Sequence, residues 1–181
     1  MLNDALKAVK TEYAAFLDYD DVMFHNAYSW LIQRLRHTGK NASFGLIYNT
    51  VFNLAEQKIR ERQVVYNYGK SYADFLNLNH TPIHGFLLNM SKINLDQIEY
   101  YEDMKYREDY YLTLQIFTED GTDWKSLQEK NFIGDYYHYE DKRQTLAILD
   151  QEHRNKIISS QDYAESEDRI HILRQRIHRK K

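Results

Sequence analysis

Cysteine is absent from the 181 residues, proline occurs once and glycine six times. Without cysteine there is no disulfide framework, no thiolate nucleophile and no Cys-containing metal site, and a reducing, cytoplasmic setting is expected. The shortage of proline and glycine argues against a sandwich of many short strands and for long helices. No apolar run approaches the roughly 20 residues of a membrane span. The start, Met1-Leu2-Asn3-Asp4, has no apolar signal segment, so neither membrane insertion nor secretion is expected. No phosphate loop, dinucleotide fingerprint or nucleophile elbow occurs, so neither a cofactor nor a catalytic residue is assigned. His80 and His84 are four apart, but Pro82 separates them and no Glu completes a ligand pattern, so no metal is assigned either.

What is present is aromatic: 16 Tyr and 8 Phe contribute much of an apolar fraction of 43%, which predicts an aromatic core with polar handles. The length suits one globular domain, taken as residues 1–165, followed by a basic helix or tail over 166–181. Apolar residues at offsets of three and four predict helices over 4–17, from Asp20 or Asp21 to a C-cap at Gly39, and over 43–62. In the last, Phe44, Leu46, Ile47, Val51, Phe52 and Ile59 cover so much of the circumference that it is expected to be the most buried helix. Ser71 and Asp74 form a capping box for a short helix to about Leu76. Thr81 and Pro82 predict the start of a second helix. Asn94 and Gln97 predict another over 95–104. Period-two alternation predicts a strand over Tyr110–Phe117 with a partner at Phe132–Tyr139 and a helical turn between them. Helices are predicted again from Lys142 and from near Glu165. The fold class that follows is α+β, mainly α, with a helix-turn-helix-like hairpin near 71–93, a small antiparallel sheet or hairpin near 110–139, and C-terminal helices.

The segment from Gly69 to Leu88 resembles the twenty-residue pattern of DNA-binding helix-turn-helix motifs. Tyr72, Leu76, Leu78, Ile83 and Phe86 fall at its packing positions, Ala73 at the close approach and Asn77 in the turn. The resemblance implies that the second helix presents His80, Thr81, His84, Asn89 and Lys92 to bases or phosphates. Lys58, Arg60, Arg62 and Lys70 would ground the motif on the backbone. The same pattern also fits a structural corner between two packed helices.

Charge is unevenly distributed. Residues 169–181 carry six basic side chains, among them Arg174, Arg176 and Arg179, and no acid, which suits docking on nucleic acid or self-association through Ile170, Leu173 and Ile177. Between residues 99 and 141 lie twelve acids interleaved with tyrosines. Glu99, Tyr101, Glu102, Asp103, Tyr106, Glu108, Asp109, Asp135, Tyr137, Glu140 and Asp141 form the candidate contact surface there, since carboxylates among aromatic anchors can occupy a basic groove. Three non-enzymatic readings follow. The first is a regulatory protein that binds DNA through 71–92, as a homodimer on paired half-sites. The second is an acidic, Tyr-rich inhibitor from a phage or mobile element, of the anti-CRISPR or anti-restriction type, whose partner is a nucleic-acid-binding protein. The third is a structural, self-associating protein.

Overall fold

Short apolar runs whose neighbouring residues pack on opposite sides organise the centre of the chain. Phe86 and Leu88 belong to one buried cluster and Leu87 to another, and Leu46 and Ile47 divide in the same way. A strand covered on both faces has no polar side, so its sequence carries no alternation.

The computed structural model describes residues 2–18, 21–64, 67–98, 101, 103–104, 106–139 and 160–179. Among them the order is α1 (Leu2–Ala8), β1 (Tyr13–Ala14), β2 (Val22–Met23), α2 (Ala27–Thr38), β3 (Ala42–Phe44), β4 (Leu46–Asn53), β5 (Lys58–Val64), α3 (Tyr72–Asn77), β6 (Phe86–Asn89), α4 (Glu108–Ile116), β7 (Thr122–Asp123), β8 (Phe132–Tyr139) and α5 (Ser160–Arg179). One mixed sheet runs β1-β6-β3-β7 and the other β2-β8-β4-β5. In the second, β8 is parallel to β4 and antiparallel to β2.

The chain passes from the first sheet to the second at Gly45. Its nitrogen donates to the Gly85 carbonyl at 3.0 Å and its own carbonyl accepts from Asn67 Nδ2 at 3.0 Å. A β-carbon there would collide with the Ile133 side chain, so only glycine lets the two layers approach at this corner. On one face α2 lays Ala27, Leu31 and Leu35 against Ile47, Leu87 and Ile133, the four-residue spacing of a helical stripe. The other face carries the main core, in which Phe44, Phe75, Phe86 and Phe117 are covered by α3, α4 and α5.

The expectation of a mainly helical protein is corrected: the fold is α+β with helix and strand in comparable measure. The segment 43–62 is not a helix but β3, β4 and most of β5. Phe44, Leu46, Ile47 and Val51 are buried because β3 and β4 are covered on both sides, whereas Ile59 on β5 is exposed. Conversely, 110–116 lies in α4, with Phe117 as its C-cap, and Tyr110, Tyr111, Leu112, Thr113, Leu114 and Ile116 are all buried; a helix enclosed on every side loses the 3.6-residue stripe. The strand at Phe132–Tyr139 exists as β8, and its neighbours are β4 and β2.

The helix-turn-helix-like hairpin is likewise overturned. Its first half forms as α3, with both reciprocal bonds of the Ser71–Asp74 capping box. The second half does not: Pro82 precedes a 3-10 turn over Ile83–Gly85, and the chain then enters β6, held between β1 and β3. Ala73, required at a close approach, is exposed. Asn94 caps only a 3-10 turn over Leu95–Gln97. The Gly39 C-cap is left-handed, with φ 65°, as its position suggests. On α5, Ile170 is fully buried, and Leu173 and Ile177 pack on the main core, so this apolar face is covered by the chain's own residues. The helix predicted from Lys142 lies outside the described residues.

Candidate acidic binding pocket

Four segments far apart in sequence meet around an open cavity of about 380 Å³. A backbone bond from Asp21 N to Asp18 O, 3.2 Å, turns the chain before β2 and brings both aspartates to the cavity. The loop after α3 supplies Asn79 to His84. There Asn79 Oδ1 accepts from the Thr81 nitrogen at 3.2 Å, and Gly85 N closes the 3-10 turn on Pro82 O at 2.8 Å. The first turn of α4 supplies Glu108 and Asp109, and β8 supplies Tyr136.

The residue before α4, Arg107, has φ 55°, a left-handed conformation that costs a side-chain-bearing residue about 1–2 kcal/mol. An ion pair to Glu167 of α5 at 2.8 Å holds it in place. Asn79 Nδ2 ties the loop to Asp109 Oδ2 at 3.2 Å. The strained start of α4 thereby sets two carboxylates side by side facing the cavity.

The floor is the pair Asp21 and His84, whose side chains are 2% and 1% exposed. Nδ1 of His84 lies 2.8 Å from Oδ2 of Asp21, but away from the hydrogen-bonding direction. Neither atom makes a well-aligned bond, and Nε2 has no partner. Tyr136 lies nearly parallel to the His84 ring, with centroids 6.2 Å apart. Burial raises the pKa of Glu108, and the neighbouring charges of Asp109 and Asp18 push it the same way. Burial also raises that of Asp109, against the bonds it accepts, and lowers that of His80. Among the described residues the lining contains four carboxylates and neither Lys nor Arg. Among the described residues no group of three or more His, Asp or Glu is arranged to hold a metal ion.

A raised carboxylate pKa means that the folded protein binds a proton more readily than the unfolded chain, so the group opposes stability once pH exceeds its folded value. Replacing Glu108 by Gln is therefore expected to stabilise the protein at pH 7, by about half a kcal/mol after solvent screening of a half-exposed group. That corresponds to a rise of about 1–2 °C in Tm for a chain of this size. At pH 4, near the unfolded value of about 4.3, the gain should vanish. Thermal unfolding at the two pH values checks this, and a loss of stability at pH 7 would show that the carboxylate supports the fold.

The residues assigned to DNA contact are dispersed. His84 and Asn89 are buried, in the 3-10 turn and in β6, and His80 and Thr81 are 3% and 5% exposed, so a duplex cannot touch them as a recognition helix would require. Lys58 and Arg60 pair with Glu56 on the hairpin, and Arg62 makes two 2.7 Å bonds to Asp135. Lys70 and Lys92 stand beside α3 and after β6. Arg174 donates to the Asn77 carbonyl and the Tyr110 hydroxyl; Arg176 and Arg179 occupy the last turn of α5.

Of the acidic, Tyr-rich set, Glu99, Glu102, Glu140 and Asp141 lie outside the described residues. Asp103 is held by Arg169, Tyr101 lies beneath that guanidinium, and Asp135 is 1% exposed. Tyr106 packs on Tyr163 and Tyr137 on Phe52. Among the described members of this set, Glu108 and Asp109 line the pocket. Sequence reasoning placed His84 near a ligand for a different reason, read Asp21 as a helix cap, and did not single out Asp18, Asn79 or Tyr136 as site residues. No spacing links 21, 84, 108 and 136; the strand order brings them together. No helix among the described residues is long and apolar enough to cross a membrane. No protein-family model and no curated protein matches the chain.

Proposed function

We propose that the protein is a non-enzymatic binding module that receives a positively charged side chain of a protein partner in the acidic pocket. One observation carries this reading: among the described residues the concavity is lined by four carboxylates, Asp18, Asp21, Glu108 and Asp109, and by no Lys or Arg. A cation there would relieve the mutual repulsion of Glu108 and Asp109, on which burial already acts against ionisation. The apolar edges of Pro82 and Ile83 suit the aliphatic stem of such a side chain.

The reading narrows the idea of an acidic protein that blocks a basic groove. Arginines of the same chain already neutralise Asp103, Asp123, Glu129 and Asp135, so a socket is favoured over a broad phosphate-like face. Surfaces that bind nucleic acids are rich in Lys and Arg, and a nucleic-acid-binding protein is the partner class proposed. The test is fluorescence anisotropy with a labelled peptide of alternating Arg, Lys and Gly, against a Glu-substituted control. Binding should be specific to the basic peptide, weaken with salt, and fall at least tenfold in the Glu108→Gln, Asp109→Asn variant. Equal binding by the variant removes the pocket from the account.

A further inference from the structure

The loop after α3 inverts the usual placement of its side chains, apolar inside and titratable outside. Leu78 is 57% exposed, whereas His80, two residues on, is 3% exposed. The His80 ring is set edge-on against Phe75 of α3 and Trp124 of the 3-10 turn Trp124–Gln128, with centroids 5.8 and 6.3 Å away. Its Nδ1 lies 3.2 Å from the Thr81 hydroxyl, and Nε2 is buried without a well-aligned hydrogen bond. The loop is anchored at its ends and loose between them. Leu78 N donates to the Asp74 carbonyl at 3.0 Å, Arg174 of α5 holds the Asn77 carbonyl at 2.8 Å, and Pro82 leads into the 3-10 turn Ile83–Gly85. Among the described residues, 79–81 make no hydrogen bond from backbone to backbone. The Asn79 side chain alone ties them, to Thr81 N and to Asp109. Leu78 and His80 line one cavity of about 390 Å³, which leaves each room to move as the other does.

We infer that residues 78–82 form an acid-operated switch, in which the protonated His80 ring leaves its aromatic cage and Leu78 takes its place. Protonation turns both ring nitrogens into donors and adds a charge, and an aromatic cage is a poor home for either. Burial holds the His80 pKa below its ordinary value; the backbone at Ser71 and His80 and the charge of Asp74 act the other way and are outweighed, while Lys70 adds to the effect of burial. The other charged or titratable groups on elements around the loop are Asp18, Asp21, His84, Glu108 and Asp109 at the acidic pocket, Arg174 at the Asn77 carbonyl, and Lys125, which lines a different groove. A folded value below the unfolded one means that the closed loop keeps its full stability above about pH 6.5 and loses it as pH falls below that value. Opening should become roughly a hundredfold more favourable between pH 7 and pH 4.5. The switch does not depend on what the acidic pocket binds.

The test is a pH titration of the full chain by NMR, with the histidine, leucine and aromatic side chains isotope-labelled. At pH 7, NOEs should join the His80 ring to Phe75 and Trp124. As the ring protonates in acid these should vanish, and NOEs from the Leu78 methyls to Phe75 should replace them while those among Phe44, Phe86 and Phe117 persist. In the His80→Leu variant, whose fold is verified by its melting curve, the Leu78 methyls should stay away from Phe75 at every pH. A His80 ring that protonates with its Phe75 NOE intact, or that stays neutral until the Phe44 cluster itself unfolds, overturns the switch. Arrival of Leu78 at Phe75 in the variant as well would overturn the role of His80.

Discussion

Alanine at Phe44 is expected to lower the free energy of unfolding by about 3–5 kcal/mol, the range for deleting a fully buried ring. Phe44 is 0% exposed and stands where the two sheets and the helical layer meet. Its ring contacts Phe117 edge-on at 5.1 Å, Trp124 at 4.9 Å and Phe86 at 6.4 Å, so three elements lose packing together. Those neighbours are themselves large rings and cannot collapse into the space, which places the cost toward the upper end of the range. Leucine at the same position should cost less, about 1–2 kcal/mol, because it refills most of the volume. Urea denaturation measures both. A loss below about 1 kcal/mol for alanine would mean that the aromatic cluster does not carry the core.

Replacing Arg34 by Leu should cost about 3 kcal/mol, for a different reason. Asp123 is 4% exposed and accepts from Arg34 Nε and Nη2 and from the Ser43 hydroxyl. Removal of the arginine leaves a buried carboxylate with one neutral donor, and breaking one side of a buried pair costs about 3–5 kcal/mol. Arg34 is 18% exposed and also meets Glu129 at the surface, which places the effect at the lower end. The second substitution Asp123→Asn removes the stranded charge, so the double variant should recover about half of the loss. Equal stability of the single and double variants would show that packing of the arginine stem, not its charge, holds α2 to β7.

The legible parts of the sequence were those whose signals are local. The Ser71–Asp74 box, the left-handed Gly39 and the amphipathic α5 are each specified by residues within a turn or two of one another. The errors share one cause. Hydrophobic periodicity reports an element that is wet on one side, and both 43–53 and 110–117 are enclosed on two or more sides. The first has residues at every angle and imitates a buried helix; the second has tyrosines and β-formers in alternation and imitates a strand. Its Tyr110 hydroxyl donates to the Phe75 carbonyl at 2.5 Å and accepts from Arg174, so a polar handle was matched from inside the core, where pattern reading treats it as a surface mark. At 81–89, the run Phe86-Leu87-Leu88 fills both faces of a sheet, and that demand overrode the helix start suggested by Thr81 and Pro82. The pocket was legible only in its ingredients. Glu108 and Asp109 were among the flagged acids, but their meeting with Asp21 and His84 depends on β8 lying between β2 and β4, and strand order has no local signature.

The central claim is that the acidic pocket is a recognition surface, and the imidazole of His84, which lines it, reports on it directly. Titration with the basic peptide should move the His84 ring resonances in long-range proton–nitrogen NMR spectra in proportion to the fraction bound. A His84 signal that stays fixed while the peptide saturates the protein would contradict the account and place the binding surface elsewhere on the molecule.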